Sequence, residues 1–210
     1  PRYPNFDMSI PDQVRVAVWL DAFHGWVAKG EMPALQILHL PCDHTAGARV
    51  GSRTPRAMVA DNDLALGRIV EALSHSPFWR QTVVFVMEDD AQNGPDHVDS
   101  HRSPLLVVSP YTRTGVYHRF TNTTDALRTM EEILGLDALS QFDHFGRPLR
   151  DIWQETPDTV PYVALEPEVS RDERNLPGSR ATRDSRRLDL GMDKAGMDLF
   201  NRVLWMAVKG

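Results

Sequence analysis

The sequence lacks the features that define several large classes of protein. It has one cysteine, Cys42, so an internal disulfide cannot hold the fold together. It has no apolar run long enough to span a bilayer, and no signal-peptide pattern at its start. Its 23 lysines and arginines are outnumbered by 29 aspartates and glutamates. The resulting formal charge of −6 argues against a nucleic-acid-binding surface.

The length and the first residue of the chain bound its organisation. The 210 residues are enough for one domain with a substantial core, and no internal repeat divides them. Because the sequence opens at Pro1 rather than at a methionine, we expect a processed product or a part of a longer protein.

The most informative stretch is VVFVMEDDAQNGPDHVDSHR at residues 83–102. Its first five residues are apolar, as in a strand that is buried on both faces. Acidic residues and two histidines follow directly, and a Gly-Pro pair breaks any helix among them. Carboxylates packed this densely at the end of a buried strand repel one another unless a cation lies among them. We therefore predict a divalent-metal site, against the alternative of a solvated acidic loop.

The preceding residues predict the elements that lead to this stretch. A helix is expected at residues 12–29, with Val14, Val18, Phe23 and Trp26 on its apolar face and a glycine at its end. A strand is expected to follow at residues 34–40. A second helix is expected at residues 54–76, because Thr54 offers a hydroxyl cap and proline follows at the first helical position. Strand, helix and strand in this order predict two parallel neighbours joined by a right-handed crossover.

The predicted parallel arrangement brings two polar clusters together. In such sheets ligands bind beyond the carboxyl ends of the strands. One strand is followed by Asp43 and His44, and the other by Asp89 and Asp90, so we expect the two pairs to meet. The predicted metal ligands are Asp43, His44, Asp89, Asp90, His97 and His101.

These oxygen and nitrogen ligands suit zinc, manganese or iron, or calcium if the histidines do not contact the ion. Two neighbouring metals could share the set and clamp the attacking and leaving oxygens of a phosphoryl group. At least one of His97 and His101 is expected to contact a metal ligand rather than the metal itself. Cys42 adjoins the site, but no Cys-His arrangement beyond His44 supports a nucleophile, so we interpret it as a buried structural residue.

The remaining chain predicts two further helices and a long irregular segment. One helix follows the caps at residues 121–124, with Leu127, Met130, Ile133 and Leu134 on one face. The last helix is expected after Asp193. Overall we predict three parts: an α/β metal-site domain at residues 1–136, an extended proline- and arginine-rich arm at 137–190, and a C-terminal helix at 191–210 that docks on the body.

Several motifs resemble the alkaline phosphatase superfamily, in particular its bacterial phosphoesterase-type members, which are sometimes fused to a β-propeller. The motifs are LPCDHT at residues 40–45, MVADND at 58–63, EDDAQNG at 88–94, DHVDSHR at 96–102, SPY at 109–111 and the closing residues 201–210. The resemblance implies a three-layer α/β sandwich with a mostly parallel sheet and flanking helices, incomplete at its N-terminal side.

The resemblance also implies a function and partners. It implies metal-dependent hydrolysis of phosphate esters, with Asp89 and Asp90 as an acidic metal pair and Asp43, His44 and one of His97 and His101 at the other metal position. The substrate would be a phosphorylated small molecule, and the protein would be exported or periplasmic. In that superfamily the Ser/Thr nucleophile lies upstream of the matched segment. We therefore expect the missing N-terminal half to supply it, and the 210 residues alone to be inactive.

Two alternatives remain open from the sequence. The chain could be a non-catalytic module that kept the fold and now binds a ligand or a partner. It could also be a phosphotransferase similar to phosphoglycerate mutase. A profile of accepted substrates would separate the transferase from a hydrolase.

Overall fold

The computed structural model describes residues 2–89, 101–190 and 194–209. Its helices and strands, numbered in chain order, are α1 (Asp12–Lys29), α2 (Pro55–Ser74), β1 (Val84–Met87), β2 (Leu105–Val108), α3 (Thr123–Leu134), α4 (Gln141–His144), α5 (Arg180–Ser185) and α6 (Met197–Lys209). Short 3₁₀ turns lie at Pro41–His44, Trp79–Gln81 and Arg150–Ile152. The described residues therefore form a mixed fold of helices and a small sheet.

Helix α1 has the predicted bounds but not the predicted buried face. It ends where Gly30 adopts a φ of 73°, the left-handed conformation that glycine tolerates best. Val14, expected on the apolar face, is 45 % exposed, whereas Val16 and Trp19 are buried. The buried face of α1 differs from the apolar stripe because Asp12 and Arg15, at the start of the helix, are themselves buried.

Helix α2 packs on α1 and forms the main core with it. The Thr54 hydroxyl accepts a hydrogen bond from the Ala57 N–H at 3.1 Å, which confirms the predicted cap. The core consists of Val16, Trp19, Phe23, Ala65, Ile69, Leu73 and Trp79. A Cβ at Gly67 would lie 3.4 Å from the Ala164 Cβ, so α2 approaches the irregular segment there.

The described sheet differs from the prediction of a mostly parallel one. It has two strands, β1 and β2, which pair antiparallel with Val84 opposite Val108 and Met87 opposite Leu105. Every residue of β1 is half-buried, although the apolar run suggested burial on both faces. An apolar run reports that a strand is partly covered, but it does not report which strand pairs with it or in which direction.

Residues 34–40, predicted as a strand, form no regular element. Their side chains nevertheless alternate: Gln36, Leu38 and Leu40 face inward, whereas Ile37 is 89 % exposed. Side chains hold the segment, since Trp19 Nε1 donates to Gln36 Oε1 at 2.9 Å. This alternation is typical of an extended backbone, but the strand that the apolar run predicted is not formed. Assignment as a strand also requires a hydrogen-bonded neighbour, and the described residues supply none.

The last part of the chain builds a second core. Helices α5 and α6 pack together, burying Ala48, Ala181, Leu188, Ala195, Phe200 and Val203.

The N-cap of α3 is Asn122, whose side chain accepts from the Asp125 N–H. Ile133, on the expected apolar face of α3, is 51 % exposed. The cap expected at Asp193 lies outside the described residues. Among those described, no helix has the combination of length and apolar character needed to cross a membrane.

Candidate functional site

Asp12, at the start of α1, anchors the Pro41–His44 turn from beneath. Its Oδ2 accepts from the Cys42 backbone N–H at 3.0 Å and from Asn62 Nδ2 at 3.1 Å. The same Asn62 amide donates to the Leu40 carbonyl at 2.7 Å. Residues from α1 and α2 therefore fix the backbone that carries the predicted ligands Asp43 and His44.

Arginines balance the buried carboxylates below this turn. Arg15 Nη1 lies 3.2 Å from Asp12 Oδ1, and both residues are fully buried. Arg53 Nη1 lies 3.3 Å from Asp61 Oδ2, while its Nη2 donates to Cys42 Sγ at 3.3 Å. Asp61 Oδ2 also accepts from the Asp12 N–H at 2.6 Å. Because each carboxylate faces a guanidinium, the cluster is close to neutral without any further cation.

Asp12, Cys42 and Asp61 offer ligand atoms within 4.8 Å of one another, a spacing that could hold a metal ion. Their chemistry fits one poorly. Burial, together with the nearby Asp12 carboxylate, raises the pKa of the Cys42 thiol to about 12, whereas metals bind the thiolate. A metal would also have to displace Arg53. We interpret the cluster as a structural ion network. No local spacing in the sequence indicates it, because its members come from three separate segments.

Asp43 projects from the turn above this network. The residue is exposed, yet loss of water around its carboxyl is the main reason that its pKa is raised. Backbone N–H groups of the turn lower the pKa, while the Asp12 and Asp89 carboxylates raise it. The contribution of Asp89 relates two residues that α2 separates in sequence.

His44 presents one ring nitrogen to a carbonyl. Its Nδ1 lies 3.1 Å from the Thr45 carbonyl oxygen. Because a carbonyl oxygen only accepts, His44 donates from Nδ1 in this contact. The rings of Phe200 and Phe6, with centroids 5.3 and 5.6 Å away, fix the orientation of the imidazole.

The other predicted ligands follow β1 or precede β2. Since Met87 pairs with Leu105, Asp89 and His101 belong to the same end of the sheet, and both are exposed. Asp90 and His97 lie outside the described residues. The structure thus relates Asp43 to Asp89 by charge, places His44 next to Asp43 in the same turn, and places Asp89 and His101 at one end of the sheet.

Comparison with known proteins identifies the family. The profile of the Phosphoesterase family matches residues 4–137, more than half of the chain. The chain belongs to the Phosphoesterase family. No curated protein sequence and no solved structure matches it. The matched region of this phosphoesterase contains all six predicted ligands and the buried ion network of Asp12, Arg15, Cys42, Arg53 and Asp61. Membership indicates a hydrolase that acts on phosphate esters.

Proposed function

We propose that this phosphoesterase hydrolyses phosphate esters with one or two divalent metal ions, zinc or manganese, bound at the rim formed by Asp43, His44 and Asp89. The observation that supports the proposal is the electrostatic interaction between the Asp43 and Asp89 carboxylates, which adds to the effect of burial in raising the pKa of Asp43. A cation between the two carboxylates would convert their repulsion into attraction. His44 adds an imidazole at the same turn.

The proposed ligands are those that the sequence suggested: Asp43, His44, Asp89, Asp90, His97 and His101. A metal bound there would polarise the phosphoryl oxygens and neutralise the charge that develops on them. Asp12 would keep the Pro41–His44 turn in place through its hydrogen bond to the Cys42 N–H. The buried network therefore acts on the site by positioning, without itself contacting the substrate.

The proposed nucleophile is a serine or threonine of an upstream segment, within the alkaline phosphatase superfamily pattern. Thr45 adjoins His44 but is 3 % exposed, and its hydroxyl accepts from the Gly47 N–H at 3.2 Å. A hydroxyl that is buried and engaged in this way is poorly placed to attack phosphorus. Metal binding is therefore the property of the 210 residues that tests the proposal directly.

The test measures thermal unfolding in EDTA and with excess zinc or manganese. An ion that binds the native state at 100 times its Kd stabilises it by about 2.7 kcal/mol. We expect the wild type to show a metal-dependent rise in melting temperature, and Asp43→Asn with Asp89→Asn to abolish it. Asp137→Asn, which removes an exposed carboxylate elsewhere, is the matched control and should keep the rise.

Two results would contradict the proposal. One is a wild-type melting temperature that neither metal changes, and the other is a rise that survives in the Asp43/Asp89 double variant. Hydrolysis of chromogenic phosphate monoesters and diesters, measured on the same samples, provides the second readout. Metal binding without turnover by a longer chain that includes the upstream segment would instead favour the non-catalytic binding module.

A further inference from the structure

An open cavity of about 700 Å³ lies beside the candidate metal site. Phe6 and Ala46 contribute to its wall, and the Phe6 ring packs edge-on against the His44 ring. The cavity therefore begins two residues after His44 in the chain and shares an aromatic wall with it. Three arginines also line it: Arg49, Arg53 and Arg174.

Asn175 holds the arginine-bearing wall in shape. Its Nδ2 lies within 3.1–3.3 Å of four carbonyl oxygens, those of Gly47, Arg49, Ser52 and Arg53. Its backbone N–H donates to the Ser52 carbonyl at 2.9 Å, and its carbonyl accepts from the Gly51 N–H at 3.1 Å. One side chain from the irregular segment thus gathers the loop that carries Arg49 and Arg53, which fixes the geometry of the cavity before any ligand binds.

Of the three guanidiniums, those of Arg49 and Arg174 form no salt bridge with a carboxylate of the described residues. Arg53 is engaged by Asp61, as described above. Arg49 Nη2 donates to the Leu188 carbonyl at 3.3 Å, and Arg174 Nη1 donates to the Gly51 carbonyl at 3.2 Å. Among the ion pairs of the described residues, neither Arg49 nor Arg174 takes part. Each guanidinium is therefore held by one N–H while its remaining donors can face a ligand.

Two carboxylates also line the cavity, those of Asp7 and Asp189. The Asp7 carboxylate accepts from the Ser9 N–H at 2.8 Å and from the Ser9 hydroxyl at 2.6 Å, which lowers the pKa of Asp7. Ser9 therefore occupies one oxygen of Asp7. The planar guanidinium fork matches the oxygens of a phosphate or carboxylate group.

We infer that the cavity binds the part of the substrate that does not react, through a phosphate or carboxylate group held by Arg49 and Arg174. The inference rests on the proposed function, because it places the reacting phosphoryl group at the rim with His44 and the remainder beyond Phe6. The substrate class is then a phosphate ester whose alcohol portion carries a second oxyanion. Asn175 is a positioning residue of this site.

The test separates anion binding from metal binding. Inorganic phosphate and acetate are titrated in EDTA buffer, and binding is followed by amide chemical shifts of the 210-residue chain. Charge-assisted, bidentate contacts are the strong class of hydrogen bond. We therefore expect Arg49→Gln with Arg174→Gln to weaken binding of at least one anion by about tenfold or more. Arg49→Lys with Arg174→Lys keeps the positive charges but loses the planar guanidinium forks. Its anion affinity should lie between that of the double Gln variant and that of the wild type.

Arg183→Gln is the matched control. Arg183 is exposed, donates to the Gly178 carbonyl at 3.0 Å, and lies outside the cavity. It should leave anion binding unchanged. The proposal is overturned if the wild type binds neither anion in EDTA, if Arg183→Gln weakens binding as much as the double variant, or if the double variant binds as well as the wild type. The double variant should keep the metal-dependent rise in melting temperature, so failure here is distinct from failure of the metal site.

Discussion

The carboxylate of Asp43 lies close enough to that of Asp89 for their charges to raise the pKa of Asp43. The 3₁₀ turn Pro41–His44 places the first residue, and the end of β1 places the second. Helix α2 separates the two in sequence. The predictions below test what this proximity and the network beneath it do.

Asp43→Asn should stabilise the metal-free protein at neutral pH. The folded-state pKa of Asp43 is raised, so its favourable contribution is present below the unfolded pKa and is lost as pH rises through the folded pKa. Removing the charge should therefore raise the melting temperature at about pH 7 but not at about pH 3, where the carboxyl is already protonated. With zinc present the order should reverse. A lower melting temperature for the metal-free variant at neutral pH would contradict the raised pKa of Asp43.

Cys42 should resist thiol reagents in the folded protein. Burial raises its pKa to about 12, so the reactive thiolate is scarce at neutral pH. We expect slow labelling in buffer and rapid labelling in concentrated urea, measured by mass spectrometry. Cys42→Ala should retain the metal-dependent rise in melting temperature. Loss of that rise would instead place the metal in the Asp12, Cys42 and Asp61 cluster.

Arg53→Gln should be strongly destabilising, because it leaves the buried Asp61 carboxylate without its nearest charge partner. Removal of one member of a buried ion pair costs about 3–5 kcal/mol. Arg150→Gln breaks a pair at 2.7 Å whose arginine is 69 % exposed, and should cost less than about 1 kcal/mol. Urea unfolding measures both changes.

The pairing of Arg53 with Asp61 can be isolated by a double-variant cycle. Asp61→Asn in the Arg53→Gln background should recover part of the lost stability, since the amide oxygen can still accept from the Asp12 N–H. Strictly additive effects would show that the two residues are not coupled, and would remove the network as the support of the turn.

Thr45→Gly should be more stable than Thr45→Ala by about 1 kcal/mol or more. Thr45 has φ 62° and ψ 168°, a conformation that is almost confined to glycine and costs other residues about 1–3 kcal/mol. Both variants lose the same hydroxyl contact to the Gly47 N–H, so their difference reports the backbone. Elsewhere glycine is usually the less stable of the two. Urea midpoints in which alanine is the more stable would contradict this strain beside His44.

Local signals predicted the helices well and their buried faces less well. Gly30 and Thr54 marked helix ends because their effects on the backbone act within one turn. The apolar stripe of α1 failed at Val14 because the ion pair of Asp12 and Arg15 occupies the inward face. A sequence pattern that counts apolar residues assigns such buried charges to solvent.

The sequence by itself determined the helix limits, the extended path of residues 34–40 and the two polar clusters that follow that segment and β1. The sequence also determined the family, since the Phosphoesterase profile is compared with the amino-acid sequence alone. Only the tertiary structure decided the antiparallel pairing of β1 with β2, the buried network under Cys42 and the arginine-lined cavity. Asn175 holds the loop that forms one wall of this cavity. Each of these depends on groups distant in sequence that meet by hydrogen bonding or charge, and local periodicity contains no information about such partners.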